Sequence, residues 1–199
     1  MTQLTKILIV YDTDGGNTYA MAKKVARGVD GVSGCEAVIR SVPKVHNGLD
    51  QTSPAVPESG APYVTLADLA KHQGLVMGSP THFGNMSASL KFFIDQTSTE
   101  WMAGALNGKP AGVFTSTGSM HGGQEAALLT MIIPLLHHGM IITGLPYTHP
   151  GLMQTTSGGT PYGASHLGTE SGDRAMDTTE TELCMLLGSR VATLAQKLN

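Results

Sequence analysis

Cysteine, aromatic side chains and charge are all scarce in this chain, and each scarcity narrows what it is. The only cysteines among the 199 residues are Cys35 and Cys184, too far apart for a CxxC redox pair or a metal knuckle, so both read as free thiols. Charged residues make up 14% of the chain against 41% apolar ones, a balance that excludes an intrinsically disordered polymer. A net charge of -3 and a pI near 6.2 leave no basic footprint for a nucleic-acid backbone or an anionic membrane surface. No apolar run reaches the roughly 20 residues of a membrane span; Pro134, His137, His138 and Gly139 break the best candidate. Lys6 precedes a short apolar run with no small-residue cleavage site, which reads as a first strand and not as a signal peptide. The eight histidines show neither HxxxH nor Cys/His spacing, nor carboxylates in register, so no metal is expected. What is left is a cytoplasmic domain with small-molecule partners, no nucleic acid and no membrane insertion.

What the chain does have is alternation between strand and helix patterns. Residues 6–11 (KILIVY) form a continuous apolar, β-branched run, as a parallel strand buried on both faces would. Residues 17–29 follow with Met21, Val25, Ala26 and Val29 at helical spacing, and Asn17 or Thr18 in position to cap. Further strands are expected over residues 36–42, 74–79, 109–116 and 140–145. Helices are expected from Thr65 as a cap, over 86–97, over 124–138 closed by Gly139, and over 180–198 with Leu183, Leu186, Leu187, Val191, Leu194 and Leu198 on one face. Residues 43–62 and 146–174 are polar and rich in Gly, Pro, Ser or Thr, and read as surface insertions in a single domain over 1–199. Five strands alternating with helices specify an α/β fold, a three-layer αβα sandwich around a parallel sheet.

In such open sheets ligands bind beyond the carboxyl ends of the strands. The loops there have unusual composition. After the first strand comes Asp12-Thr13-Asp14-Gly15-Gly16-Asn17-Thr18, whose hydroxyls and helix-start amides can surround a phosphate while the glycines allow close backbone approach. It is neither GxGxxG nor GxxxxGK[ST], and a loop without lysine suits the single phosphate of a mononucleotide better than a triphosphate with its metal. A plain capped βα turn is the competing reading of that loop alone. Carboxylates at Asp12 and Asp14 would repel a phosphate if turned inward, so both are expected to face solvent.

Ser79-Pro80-Thr81-His82-Phe83-Gly84-Asn85-Met86-Ser87 follows the third strand and resembles the PTxFGNM flavin loop of the WrbA-type NAD(P)H:quinone oxidoreductases. The segment 116–125 (STGSMHGGQE) is similar to that family's second flavin loop, His137-His138-Gly139-Met140 to its HHGM turn, and residues 158–164 to its GGTPYGA segment. The matches fall in order over most of the chain. The resemblance implies a flavodoxin-like fold with strand order 2-1-3-4-5, bound FMN, NADH or NADPH as donor and a quinone as acceptor. It implies Thr13, Asp14, Gly15, Gly16, Asn17 and Thr18 at the phosphate. Pro80, Thr81, His82, Phe83, Gly84 and Asn85 would line one side of the ring system, and Ser116, Thr117, Gly118, Ser119, Met120 and His121 the other.

His137 would approach the flavin from the helix end as the catalytic donor, although a histidine there is also a common dipole-matching cap. His138 is expected to be structural. Trp101 resembles the family's substrate-contacting tryptophan, contributed across a subunit contact in a homotetramer. The implied reaction is a two-electron, ping-pong hydride transfer that turns quinone into quinol. Two departures stand out: the family's Tyr-Gly-His is replaced by Gly15-Gly16-Asn17, and its Arg by His82, so the resemblance leaves the choice between NADH and NADPH open. The rival readings are a flavodoxin-type electron carrier or an FMN-binding regulatory protein. A phospho-receiver is excluded because the third strand ends in Gly78-Ser79-Pro80-Thr81 with no phosphoacceptor Asp.

Overall fold

The computed structural model describes residues 4–46, 53–169 and 171–198. The expected insertion over 43–62 therefore lies partly outside the described residues. Strands β1 (Thr5–Tyr11), β2 (Cys35–Ser41), β3 (Gly74–Pro80), β4 (Pro110–Thr117) and β5 (Ile141–Ile142) form a parallel sheet in the order β2-β1-β3-β4-β5. This is the expected order. Helices α1 (Asn17–Asp30), α2 (Leu66–Lys71), α3 (Ala88–Asp95), α4 (Ser98–Met102), α5 (Gln124–His137), α6 (Gly151–Gln154) and α7 (Thr178–Leu198) connect and cover it, with β6 (Ala164–Leu167) between α6 and α7.

The alternation of side chains along a strand divides the core into two layers. Ile7, Ile9 and Tyr11 of β1 pack with Met21, Val25, Leu183, Leu187 and Val191 of α1 and α7. Leu8 and Val10 point the other way, onto Leu90, Phe93, Leu128 and Met131 of α3 and α5. Each such buried aliphatic side chain contributes about 1.5–3 kcal/mol relative to exposure, which is why β1 carries no polar residue between Ile7 and Tyr11. Helices α1 and α7 cross with their backbones touching: a Cβ at Gly28 would lie 1.9 Å from the Met185 carbonyl oxygen, and one at Gly188 2.1 Å from that of Val25. Of the apolar face expected on the last helix, Leu183, Leu187 and Val191 are buried, whereas Leu198 is exposed.

The expected fifth strand over 140–145 shrinks to two residues for a visible reason. The Pro161 carbonyl accepts from the Leu145 amide at 2.9 Å and lies where a Cβ on Gly144 would be, at 2.1 Å. The chain therefore leaves β4 after Thr143. It returns as β6, which pairs in parallel with Phe114–Thr117 of the same strand. The edge strand is thus one strand in two pieces, and residues 164–166 are buried sheet, not surface insertion.

Local signals set the helix ends. Thr65 and Asp68 form the capping box of α2, and α5 ends in a Schellman motif, with Gly139 at φ 74 and its amide bonded to Leu136 O at 2.9 Å. Helix α3 begins at Ala88 and not at 86, because Ser87 is its N-cap, accepting from the Leu90 amide at 3.2 Å. Neither Asn17 nor Thr18 caps α1. Gly16, at φ 90, holds that position without a side-chain hydrogen bond, and Asn17 Nδ2 donates instead to Gly172 O at 3.1 Å.

Candidate functional site

Three loops meet at the carboxyl rim, after β1, β3 and β4. In the first, the Thr13 amide donates to Asp12 Oδ1 at 2.9 Å and the Gly16 amide to Thr13 Oγ1 at 3.0 Å, which folds the turn. The first bond inside α1 runs from the Ala20 amide to Gly16 O at 2.9 Å. The amides of Asn17, Thr18 and Tyr19 therefore precede the helical ladder, with no side chain capping them and no acidic residue in the first turn. Space above the turn is open, since a Cβ at Gly15 or Gly16 would meet nothing within 4 Å. Helix α3 starts at the same rim but is closed by Ser87. Of these two, α1 is the end left free for an anion.

The loop after β3 is a tight reversal. His82 and Asn85 exchange both backbone bonds, at 2.9 and 3.0 Å, with Phe83 at φ 50 and Gly84 at φ 74 between them. Positive φ at both central residues is the type I′ pattern, and a bulky aromatic is sterically strained there. Its ring is fully exposed. Thr81 ties this loop to β4 through its amide, bonded to Ser116 O at 2.9 Å, and through its hydroxyl, 2.9 Å from that of Thr115.

At the end of β4, Ser116 and Thr117 are buried, while Gly118, Ser119, Met120 and His121 beyond it are exposed. Thr117 Oγ1 donates to Ser119 O at 3.0 Å and the Gly122 amide to the same oxygen at 3.1 Å, which closes the turn. The amides of Ser119, Met120 and His121 have no partner among the described residues. The loops after β3 and β4 touch at Gly84 and Gly123: Gly123 is at φ 93, and a Cβ there would lie 2.9 Å from Gly84 Cα. Met120 and His121 border a cavity of about 480 Å³ that extends to Thr155, Ser157 and Thr160.

The carboxylates of the first loop do not both face solvent as expected. Asp14 is exposed on its side chain, but Asp12 is 3% exposed and pairs with Lys44 Nζ at 2.7 Å. Lys44 also reaches Asp14 Oδ1 at 2.6 Å, and His82 Nε2 lies 3.1 Å from Asp14 Oδ2. Burial by itself would raise the Asp14 carboxyl, but the hydrogen bond and charge of Lys44, then those of His82, outweigh it and hold the group below the usual carboxylate range. Burial likewise opposes the Lys44 ammonium, yet Asp12 and Asp14 together push it up. Nothing in the sequence marks Lys44, since its role exists only where the chain after β2 passes over the turn after β1.

Trp101 and His137 are brought together, but not at the rim. Helix α5 starts there and runs back along the sheet for about 20 Å at 1.5 Å per residue, so His137 stands at the opposite end. Within one chain it does not approach the three loops. Trp101 Nε1 donates to His137 O at 2.8 Å, and both border a cavity of about 540 Å³ between α3 and α5 that reaches Asn85 and Met86. His138 Nε2 meets Thr97 Oγ1 at 2.9 Å, and burial holds its imidazole below the usual range.

Behind the first loop lies a buried charged cluster without any sequence signature. Glu180, fully buried, accepts from the amides of Gly158, Leu167 and Asp177 at 2.9, 3.0 and 3.0 Å. It also meets His166 Nδ1 at 2.9 Å and Arg174 at 3.0 Å. Among the described residues no His, Cys, Asp or Glu side chains gather as a metal site would need, and no helix is long and apolar enough to cross a membrane.

Comparison with known proteins adds independent findings. Residues 5–148 match the family described as NADPH-dependent FMN reductase. The chain is 41% identical, over 98% of its length and 100% of the relative's, to an NAD(P)H dehydrogenase (quinone) from Gluconacetobacter diazotrophicus. Its fold is similar to that of a WrbA-like flavodoxin from Agrobacterium tumefaciens, with a TM-score of 0.67 at 21% identity over 98% of this chain and 99% of that one. An archaeal flavodoxin gives a TM-score of 0.62 at 20% identity, covering 96% and 99%.

Proposed function

The chain belongs to the NADPH-dependent FMN reductase family, and from that footing we propose that it is an FMN-dependent NAD(P)H:quinone oxidoreductase, the NAD(P)H dehydrogenase (quinone) of class EC 1.6.5.2. The observation that carries the reading is the uncapped start of α1 beside the loop after β4, which offers unpartnered amides and closes on the loop after β3 through Gly84 and Gly123. This donor set fits FMN: three helix-start amides for a phosphate, and the Ser119, Met120 and His121 amides for the polar edge of a flat ring. When bound, FMN takes up two electrons from a reduced nicotinamide and passes them to a quinone.

The protein's part is placement. Thr13, Gly15, Gly16, Asn17 and Thr18 hold the phosphate, Asn17 through its amide because its side chain is bonded to Gly172. Pro80, Thr81, Gly84 and Asn85 build the turn that presents Phe83 and His82, and Ser116, Thr117, Gly118 and Ser119 build the facing wall that presents Met120 and His121. Both walls stand on β3 and β4, so the slot between them is held by the sheet, and apolar side chains exclude water from one face of the ring.

Trp101 and His137 act in a homotetramer, where one copy carries the pair to the rim of another. In support, α4 and α5 expose Trp101, Met102, Ile133 and Leu136 together, an apolar surface of the kind a second copy covers. His137 is then the polar group offered to the bound substrate.

The test compares FMN with riboflavin, which has the same ring and no phosphate. If α1 grips the phosphate, FMN binds at least about 100-fold more tightly, the size expected for charge-assisted hydrogen bonds that riboflavin cannot make at an open helix end. Equal affinity for the two flavins, or none for either, would overturn the proposal.

A further inference from the structure

Asp12, Lys44, Asp14 and His82 form a continuous chain of charged and titratable groups across the rim, joining the loops after β1, β2 and β3. Such an arrangement poses a problem for an anion. The phosphate loop carries two carboxylates within the same turn as the open amides of α1, and like charges at such short range oppose a dianionic phosphate. Lys44 is the only cation paired with Asp12 among the described residues, and the Asp12 carboxylate, 3% exposed, has little water to screen it. With Lys44 in place, Asp12, Asp14 and Lys44 sum to -1; without it the turn stands at -2.

We infer that Lys44 is a flavin-affinity residue: by neutralising Asp12 and Asp14 it converts an acidic turn into one that accepts a phosphate. The inference rests on the FMN reading of the rim given above. Lys44 makes no contact with the amides of α1 and acts through the carboxylates it covers, so it is a positioning residue in the electrostatic sense. Asp14 is the adjustable member of the set, because its side chain is 55% exposed and shared between Lys44 and His82. A purely mechanical brace between loops would have the same geometry. The two roles differ in sign.

The experiment titrates protein into FMN and follows quenching of the flavin fluorescence for the wild type, Lys44→Met, Lys44→Arg, Asp14→Asn and the double variant Lys44→Met/Asp14→Asn. Lys44→Met is expected to raise the Kd for FMN about ten-fold, with the effect shrinking as salt rises from about 0.02 to about 0.5 M, and Lys44→Arg to restore binding. Asp14→Asn is expected to tighten FMN binding several-fold, and the double variant to fall near the wild type. Riboflavin binding should not respond to any of them. Should Asp14→Asn weaken FMN as much as Lys44→Met does, the pair is a brace and the inference fails. It fails equally if Lys44→Met leaves the Kd unchanged in a wild-type protein that binds FMN. A wild type that binds no FMN removes the reading of the rim and this inference with it. Thermal melts of the flavin-free variants check folding, and the sign of the Asp14→Asn effect stands whether or not Lys44→Met is stable.

Discussion

Glu180→Ala lowers the melting temperature of the protein by on the order of 10 °C. Glu180 sits with no exposure at the N-terminal turn of α7, and its two oxygens satisfy three backbone amides, Arg174 and His166. Deleting one partner of a buried charged pair costs about 3–5 kcal/mol, because the remaining donors stay buried and unpaired. The effect reaches the site. The segment braced by Glu180 bonds Gly168 N to Thr117 O at 2.8 Å and Gly172 O to Asn17 at 3.1 Å, so two rim loops lose support when it slackens.

The same group sets a limit in acid. Burial would raise the Glu180 carboxyl, but the hydrogen bond to His166, then those from the Leu167 and Asp177 amides, bring it from 4.5 down to about 2. A carboxyl depressed in the folded state stabilises fully above its unfolded pKa, and the stabilisation disappears as pH falls through the folded value. Glu180 therefore accounts for about 3 kcal/mol of the stability that the wild type loses between about pH 4.5 and pH 2, and Glu180→Ala lacks that share, keeping only the loss due to other depressed carboxyls such as Asp14 and Asp68. Chemical denaturation at a series of pH values reads the difference directly. Parallel pH profiles for the two proteins would show that the cluster carries no such linkage.

Gly123→Val weakens FMN binding about 100-fold while leaving the sheet and helices intact. Any side chain at Gly123 meets the Gly84 backbone at 2.9 Å, and the main chain at φ 93 strains every L residue placed there. Backbone cannot rotate aside as a side-chain end would, so the loops after β3 and β4 must part. A branched residue adds strain at positive φ, together about 3 kcal/mol. The site lies beyond the strand ends, so far-ultraviolet circular dichroism should match the wild type while flavin quenching collapses. Unchanged affinity would mean that contact between these loops is not what shapes the slot.

Much of this architecture is legible in the residues. Tyr11 back to Ile7 spells a strand buried on both faces because no polar residue interrupts the two-sided pattern, and the Thr65–Asp68 capping box and Gly139 announce helix ends through local chemistry alone. The rim loops stand out because Gly15-Gly16, Phe83-Gly84 and Gly122-Gly123 are turn chemistry at strand ends. What escapes is set by distant segments. The end of β5 depends on Pro161 arriving against Gly144, which no window around residue 142 contains. Asp12 looks like a solvent carboxylate until Lys44, from another loop, is placed over it. His137 reads as a flavin neighbour in sequence, yet the length of α5 carries it to the far rim. Glu180 resembles an ordinary helix-start acid, and only the folded segment around Arg174 and His166 makes it a hub.

We propose that this rim holds FMN and exposes it to a nicotinamide and a quinone in turn. Anaerobic spectrophotometry of the FMN-loaded protein tests this most directly, with NADH added first and benzoquinone second. NADH is expected to bleach the visible flavin band within the mixing time of an ordinary assay, and benzoquinone to restore it stoichiometrically. A flavin band that persists under excess NADH, in a protein that binds FMN and is bleached by dithionite, would contradict the oxidoreductase reading and leave an electron carrier.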